Sequence, residues 1–210
     1  MSDDTIITNA KPAVAELVGT TILALLLGLA TQITYDSLYI PAAVGLVIAV
    51  LVYWFGPVSG GHFNPAVTLS MLVIGKIKPL RAFMYLVMQL LGAWLGFWLT
   101  YYFIKYYPSF ESPTGSPAFW AEFTGAFIVV YTITKVITDE IAAPLGSLMI
   151  GAAFILAITI ANPISGGLLN PAIAINLHIM HVSHVLGPVL GGIVAAPLAL
   201  WFGGVKRAKK

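Results

Sequence analysis

The chain has 210 residues, of which 59% are hydrophobic and only 9% are charged, and its formal net charge is +2. A soluble domain carries about 25% charged residues, so this composition predicts an integral membrane protein. The small net charge, without a basic stripe, argues against nucleic-acid binding, and the absence of cysteine excludes disulfides and thiol chemistry. The first residues contain no basic cluster, so no cleaved signal peptide is expected.

Six long apolar segments follow one another along the chain, and each is near the length of about 20 residues that a membrane-spanning helix needs. They lie at about 12–32, 38–56, 80–105, 117–137, 141–161 and 184–204. Their apolar runs are continuous rather than alternating, which disfavours a β-barrel. Asn162-Pro163 is expected to end the fifth segment, and the polar stretch 106–117 is predicted to be an external loop within one domain.

Two short motifs interrupt this series of spans. Residues 59–66 read Ser-Gly-Gly-His-Phe-Asn-Pro-Ala, and residues 165–172 read Ser-Gly-Gly-Leu-Leu-Asn-Pro-Ala. Asn is a good helix N-cap because its side chain accepts a hydrogen bond from a free amide, and Pro suits the first helical position. Asn64-Pro65-Ala66 and Asn170-Pro171-Ala172 therefore predict two helix starts.

The apolar run after each motif is short. It has roughly 10 residues and would form a helix about 15 Å long. That is half of a hydrocarbon core about 30 Å thick. Paired half-helices of this kind are typical of channels and transporters that are built from inverted repeats.

The motifs belong to an internal repeat with an offset of 106 positions. Glu16 precedes Asn64 by 48 positions, and Glu122 precedes Asn170 by the same distance. The same offset pairs Ala15 with Ala121, Gly19 with Gly125, and Gly45 with Gly151. Because each half contains three spans, the halves are predicted to have opposite orientations. The predicted halves are about 10–105 and 117–205, within a single membrane domain of residues 1–210.

The basic residues predict the orientation, because cytoplasmic loops carry an excess of Lys and Arg. With the N-terminus inside, nine of the ten basic residues are cytoplasmic and only Lys105 is outside. The cytoplasmic residues are Lys11, Lys76, Lys78, Arg81, Lys135, Lys206, Arg207, Lys209 and Lys210. The reversed orientation would invert this ratio, so we expect a multi-pass protein of the cell membrane with both termini in the cytoplasm.

These features together resemble the aquaporin (major intrinsic protein) family over nearly the whole chain. Residues 59–68 are close to the family's first motif, and residues 81–85 with Gln89 and Gly92 are similar to its third helix. A single Asn-Pro-Ala would mean little, but two in register with a repeat are a strong signal. The resemblance implies an all-α fold, an aquaporin-like right-handed bundle of six transmembrane helices with two re-entrant half-helices and a pore through each monomer.

The resemblance also implies a homotetramer in membrane lipid. Two Gly-x-x-x-Gly pairs, Gly92 with Gly96 and Gly187 with Gly191, contain the small residues that let membrane helices approach closely. They suit contacts between subunits, and packing within one monomer is the open alternative.

The resemblance places Asn64 and Asn170 in the pore at the bilayer midplane. Each half-helix N-terminus carries about +0.5 charge, so two that meet raise the barrier for protons and other cations. A water molecule that accepts a hydrogen bond from both side-chain amides turns its own hydrogens outward. That orientation breaks a proton wire while water passes. A plain helix cap is the simpler alternative for each Asn.

The chain departs from the family at the narrow filter on the outer side of the midplane. The usual Arg directly after the second motif is Ile173 here, and the ungapped match puts the other filter positions at Val44, Ile158 and Gly167. Water-selective members have a His where this chain has Ile158, and glycerol facilitators have Arg then Asp where it has Ile173 then Ala174. Neither standard subtype is matched.

This apolar ring lacks a fixed cation and side-chain donors, and its polar partners are carbonyls around Gly166 and Gly167. The opening is therefore predicted to be wider than a strict water filter and to admit small neutral solutes. A ring closed by apolar packing, with low flux because of dewetting, is the alternative.

Glu16 and Glu122 lie inside spans, where ionisable groups are costly and usually functional. They are either relays of a proton-coupled transporter or structural carboxylates that accept hydrogen bonds from the re-entrant loops. Their matching positions in the two halves favour the structural role.

Histidines adjoin both motifs. His62 is expected to form a hydrogen bond within its loop, with gating as the alternative. His178, His181 and His184 follow the second half-helix on the outer side, and their spacing is compatible with a metal or pH-sensing site. Solvated loop residues are the favoured interpretation, so no metal and no cofactor is expected.

The sequence thus predicts a passive channel for water and small neutral solutes such as glycerol, urea, ammonia and hydrogen peroxide, which excludes protons and ions. The alternatives are an ion-coupled secondary transporter and a non-conducting membrane structural protein. An enzyme is not expected, because the sequence shows no nucleophile–base pair. The expected partners are membrane lipid, copies of the same chain and the permeating molecules, and no nucleic acid.

Overall fold

The computed structural model describes residues 3–30, 38–105 and 112–203, with residues 3–9 described by backbone alone. Within these ranges the chain forms eight α-helices and no strand. The helices are α1 (Asp3–Ala30), α2 (Tyr39–Ser59), α3 (Pro65–Val73), α4 (Pro79–Ile104), α5 (Ser116–Thr138), α6 (Ala143–Ser165), α7 (Pro171–Asn176) and α8 (Val182–Gly203).

In this described part of the chain, six helices are long and apolar enough to cross a membrane. They are Ala10–Ala30 of α1 and the whole of α2, α4, α5, α6 and α8. Each coincides with one of the predicted apolar segments, so the prediction of six spans is confirmed. Residues 106–111 of the predicted external loop, and the predicted cytoplasmic residues Lys206, Arg207, Lys209 and Lys210, lie outside the described residues.

The end of α6 differs from the prediction. The helix does not stop at Asn162-Pro163 but continues to Ser165, with Pro163 inside it. Gly166 ends the helix in a left-handed conformation with φ of 86°, and its N–H donates to the carbonyl of Asn162. A membrane helix tolerates an internal Pro, so the left-handed glycine, which avoids the steric penalty of a Cβ, determines the boundary.

Each half-helix packs against one span of its own half, α3 against α4 and α7 against α8, and the halves interlock. In the first half α1 packs against α2 and α4, and in the second α5 packs against α6 and α8. The half-helix α3 also packs against α8, and α7 also packs against α4. The two half-helices touch each other between the halves.

Gly45 and Gly151, which the internal repeat pairs with each other, lie where a helix of one half crosses a helix of the other half. Gly45 in α2 faces Gly151 in α6, and a Cβ on Gly45 would lie 2.6 Å from the carbonyl oxygen of Gly151. Each glycine therefore lies against the backbone of the equivalent helix, and the side chain of Ile155 also packs against Gly45. No larger residue fits this crossing without a shift of the helices.

The two Gly-x-x-x-Gly pairs lie inside one chain. A Cβ on Gly92 would lie 2.6 Å from the carbonyl of Leu17 in α1, and Gly96 also meets the backbone of α1. Gly187 and Gly191 meet the backbone of α5. Of the two alternatives that the sequence left open for these pairs, packing within one monomer is therefore the one that the structure shows.

Candidate functional site: the re-entrant loops and the outer cavity

Both Asn-Pro-Ala motifs begin a half-helix at the predicted residue. Asn64 caps α3, and its side-chain oxygen accepts from the amide of Ala66 at 2.9 Å. Asn170 caps α7 in the same way, with the amide of Ala172 at 3.1 Å. The α3 helix has nine residues, and α7, with six, is shorter than predicted. Each half-helix thus directs its free amides toward the centre of the molecule.

The side chains of Asn64 and Asn170 each donate a hydrogen bond to the re-entrant loop of the other half. The Asn64 side-chain amide donates to the carbonyl of Leu169 at 2.8 Å, and the Asn170 amide donates to the carbonyl of Phe63 at 2.9 Å. Asn64 is 2% exposed and Asn170 is 3% exposed. An Asn amide has two N–H donors, so this cross-junction bond fixes the orientation of the amide and uses one of them.

The residue before each Asn has an unusual backbone. Phe63 has φ of 48° and Leu169 has φ of 51°, in the left-handed region that non-glycine residues rarely adopt. Their side chains occupy the space beside Gly19 and Gly125, where a Cβ would clash. The repeat-matched glycines therefore make room for the strained residues, whose carbonyls receive the opposite asparagine.

Glu16 holds the first re-entrant loop. Its carboxylate is fully buried and accepts from the Ser59 hydroxyl at 2.7 Å and from the amides of His62 and Phe63 at 2.9 and 2.6 Å. The side-chain amide of Gln89 adds a fourth hydrogen bond at 2.8 Å. Four donors compensate the charge, which would otherwise be very costly to bury.

Glu122 holds the second loop with the same geometry and fewer donors. It is fully buried and accepts from the Ser165 hydroxyl at 2.7 Å and from the amides of Leu168 and Leu169 at 3.0 and 2.6 Å. Nε2 of His184 lies 4.0 Å from Oε1 of Glu122, which is beyond hydrogen-bond distance. Each carboxylate fixes the loop that precedes its asparagine.

The histidines have different environments. Nδ1 of His62 lies 3.1 Å from the hydroxyl of Thr68, so the partner of this side chain lies in α3 and not in the loop as predicted. His178 and His181 are exposed, but His184 is fully buried, so the expectation of a solvated residue was wrong for His184. The α8 helix begins at Val182, and His184 lies on its buried face. Among the described residues, no three potential metal ligands form a group.

An open cavity of about 470 Å³ lies beside the second asparagine. Its lining contains Asn170 and all four predicted filter residues, Val44, Ile158, Gly167 and Ile173. Asn64 is not part of the lining. The structure thus brings the four separate sequence positions together around one space. The lining residues that sequence analysis did not identify are Leu23, Leu27, Ile40, Phe154 and Leu168.

Sequence reasoning missed these lining residues for a simple reason. Leu27 or Phe154 inside an apolar span looks the same in sequence whether it faces a lumen, a neighbouring helix or lipid. The sequence does indicate Ser59 and Ser165, because the repeat places a Ser before two glycines in both halves. Each serine hydroxyl binds the carboxylate and also accepts an amide N–H of its own loop.

The family model for major intrinsic proteins matches residues 5–199. Nodulin-26 from Glycine max is 33% identical over 202 residues, which cover 87% of this chain and 74% of the relative. A probable NIP-type aquaporin from Nicotiana alata is 29% identical over 212 residues, which cover 93% of this chain and 78% of the relative. Aquaporin-5 from Sus scrofa is 46% identical over 88 residues, and this match spans 40% of the chain and only 33% of the relative's length.

The fold is shared with the X-ray structure of the aquaglyceroporin from Plasmodium falciparum. The TM-score is 0.75, the sequence identity is 20%, and the match covers 94% of this chain and 96% of the other. At this identity the likeness shows the fold alone, and it confirms the predicted fold class. Since the family match spans nearly the whole chain, this protein belongs to the major intrinsic protein family.

Proposed function

We propose that the chain is a passive membrane channel for water and small neutral solutes that excludes protons and ions. The family consists of membrane channels rather than enzymes. The observation that carries the proposal is the junction of two opposed half-helices, whose N-terminal asparagines bind each other's loops beside an apolar cavity.

The asparagine geometry supports passage of water without protons. In each Asn the side-chain oxygen caps its own half-helix and one N–H binds the opposite loop. The second N–H remains a donor, and the amide cannot turn to present its oxygen without breaking both bonds. A water molecule at Asn170 therefore accepts and directs its hydrogens away. The two helix N-termini, at about +0.5 charge each, repel cations at the same place.

The lining of the cavity supports passage of small neutral solutes. Val44, Ile158 and Ile173 supply apolar walls, and Gly167 supplies backbone in place of a side chain. No cationic side chain belongs to the lining of this cavity. A solute such as glycerol, urea, ammonia or hydrogen peroxide meets apolar surface on three sides and polar atoms at Asn170 and the glycine backbone.

The environment of the two carboxylates disfavours a proton-coupled transporter. Glu16 and Glu122 are 0% exposed, and neither lines the cavity. Their oxygens are occupied by hydrogen bonds from the loops. A relay must exchange protons with the lumen, so these carboxylates are assigned the structural role.

The assembly and orientation are part of the proposal. We assign residues 1–210 to one channel domain in a homotetramer, in the cell membrane with both termini in the cytoplasm. The order of the six spans puts the described basic residues Lys11, Lys76, Lys78, Arg81 and Lys135 on one side of the membrane. Lys105 follows the third span and lies on the other side, which fits the excess of basic residues in cytoplasmic loops.

Osmotic shock of proteoliposomes tests the proposed function. Light scattering is followed first under a sucrose gradient, which reports water flux, and then under a glycerol gradient, which reports solute flux. We expect both rates to exceed those of protein-free liposomes of the same lipid composition and size. Rates equal to the protein-free rates under both gradients would contradict the proposal and would favour a non-conducting structural protein.

A further inference from the structure

The outer end of the second half contains a polar network that the channel mechanism above does not use. At its centre, the carbonyl oxygen of Ser165 lies 2.9 Å from Nε2 of His184. The same carbonyl accepts from the hydroxyl of Ser112, which precedes α5 in the segment between the halves. The Ser112 hydroxyl oxygen is itself 2.7 Å from Nε2 of His184. Three elements, α6, α8 and this segment, therefore meet at one imidazole.

The hydrogen-bond partners of His184 determine which nitrogen of its ring carries a hydrogen. A carbonyl oxygen only accepts, so Nε2 of His184 carries a hydrogen that is shared between Ser165 and Ser112. The other ring nitrogen, Nδ1, lies 2.8 Å from the hydroxyl of Ser183. That hydroxyl lies 2.7 Å from Nδ1 of His181 at the surface. The imidazole is thus held at both nitrogens, and a rotated ring would break the network.

Ser165 connects this network to the candidate filter. Its hydroxyl donates to Glu122 and accepts from the amide of Gly167 at 3.1 Å. Gly166 and Gly167 line the cavity, and both have left-handed backbones with φ of 86° and 62°. The glycine wall has no side chains of its own to anchor it. Its position therefore depends on backbone hydrogen bonds, from Gly166 to the carbonyl of Asn162 and from Gly167 to the hydroxyl of Ser165.

The first half satisfies the equivalent carbonyl differently. The carbonyl of Ser59 accepts from the hydroxyl of Tyr85 in α4 at 2.7 Å. Tyr85 is one side chain within the bundle, whereas His184 also binds Ser112. The second half therefore couples this carbonyl to the segment outside the spans, and it does so beside the cavity.

We propose that His184 is a positioning residue for the outer mouth of the channel. By binding both the Ser112 hydroxyl and the carbonyl of Ser165, it sets the position of Gly166 and Gly167, which form one wall of the candidate filter. The effect on flux rests on the proposed function, whereas the effect on the loop does not.

Amide hydrogen exchange in the purified protein, reconstituted in lipid nanodiscs, tests the effect on the loop. His184→Leu fills the buried space without a donor, and we expect exchange in residues 166–169 to accelerate about tenfold, because the carbonyl of Ser165 loses one of its two donors and the Ser112 hydroxyl loses its bond to Nε2. The amide nitrogen of Gln is as many bonds from Cα as Nε2 of His, so His184→Gln should restore exchange close to the wild-type rate. Ser112→Ala should give a smaller acceleration in the same residues.

Tyr85→Phe is the matched control for the other half. It should accelerate exchange in residues 60–63 and leave residues 166–169 unchanged. Residues 60–63 should in turn be unaffected by His184→Leu. Equal exchange of residues 166–169 in wild type, His184→Leu and Ser112→Ala would overturn the proposal. Equal acceleration by His184→Leu and His184→Gln would also overturn it, because the effect would then follow loss of the ring and not of its hydrogen bond.

The ratio of glycerol flux to water flux, measured in proteoliposomes, tests the effect on the filter. We expect His184→Leu to change this ratio by about threefold, because pore lining determines solute selectivity, and His184→Gln to retain it. An unchanged ratio in His184→Leu would overturn the assignment to the filter. If wild type conducts neither solute, the proposed function fails, and hydrogen exchange alone decides whether His184 positions the loop.

Discussion

The two halves of the chain build the same re-entrant loop from a shared set of residues and differ in what surrounds it. In both, a buried Glu accepts from a Ser hydroxyl and two successive amides, and an Asn caps the half-helix. Glu16 has an additional donor in Gln89, whereas the repeat-equivalent position in the second half is Ala195. The common set therefore fixes the backbone, and the residues around it are free to diverge.

The two halves differ in the residues next to the cavity through which solutes are proposed to pass. The cavity lies between α1 and α2 of the first half and α6 with the re-entrant loop of the second half, and its lining contains Asn170 and not Asn64. The second half also replaces the tyrosine donor of the first with a histidine that reaches the segment between the halves. Asn170 thus adjoins the space through which solutes are proposed to pass.

The largest expected effect is loss of the loop carboxylates. In Glu16→Ala and Glu122→Ala, several buried donors lose their acceptor, at about 1–3 kcal/mol for each unsatisfied group. We expect both variants to unfold at clearly lower temperature than wild type in detergent, and Glu16→Ala to be the less stable because it removes an acceptor shared by four hydrogen bonds rather than three. Glu→Gln, which keeps one acceptor oxygen, should be intermediate at both positions. Unfolding at the wild-type temperature in either Ala variant would contradict the structural role.

Some of these features could be predicted because they follow local rules. The Asn-Pro pair defines a helix start in any context, so Asn64 and Asn170 were located to the residue. The length and hydropathy of a span are properties of the segment itself, so all six were found. A carboxylate inside a span needs donors, and the repeat indicated the loops as their source.

Other features depend on neighbours that the sequence does not reveal. Gly92 and Gly187 were recognised as close-contact positions, but the pattern could not tell whether the partner was another subunit or α1 and α5. His184 looked like a loop residue until the start of α8 at Val182 put it on a buried face. Pro163 suggested a helix end that the left-handed Gly166 instead supplies.

The second prediction concerns a negative charge at the junction of the two half-helices, and it tests whether Asn64 and Asn170 have different roles. Asn170→Asp retains a helix cap but places a carboxylate beside the cavity. A charge about 4 Å from a passing cation changes its energy by about 1–4 kcal/mol, so we expect cation leak to rise about tenfold or more. Asn64→Asp should have a smaller effect, because Asn64 does not line the cavity. The measurement is cation conductance of patch-clamped proteoliposomes.

Asn170→Ala is the control, since it removes the cross-junction bond without adding charge and should leave cation leak near the wild-type level. Conductance unchanged by both Asp variants would argue against an electrostatic barrier at this junction.

The third prediction concerns a positively charged side chain in the candidate filter, and it tests whether the cavity beside Asn170 determines which solutes pass. Ile173 is 2% exposed in the cavity wall, and Ile173→Arg would add a long donor-rich side chain there. We expect glycerol permeability to fall about tenfold while water permeability falls by less than about threefold, since a narrower polar opening excludes the larger solute. Ile173→Met, which adds flexible bulk without charge, should affect glycerol less. Equal glycerol flux in Ile173→Arg and wild type would rule out this position as the constriction.

The smallest expected effect concerns the crossing of α2 and α6, to which the two halves contribute equivalent glycines. Gly45→Ala and Gly151→Ala each place a Cβ against the other helix, and overpacking of this kind costs about 1–3 kcal/mol. The two variants should lower the unfolding temperature by similar amounts, because the contact is reciprocal. Gly56→Ala is the control, since its Cβ would meet its nearest neighbour at 3.8 Å. A clear difference between the first two variants would show that the crossing is not equivalent on its two sides.

The most direct test of the central claim compares water and proton permeability in the same proteoliposomes. Osmotic shrinkage reports water flux, and a pH-sensitive dye trapped inside reports proton flux under a pH gradient. If two opposed, asparagine-capped half-helices form the pore centre, the wild-type protein should accelerate shrinkage well above protein-free liposomes and leave proton flux at the protein-free level. Proton flux that rises together with water flux would contradict the account.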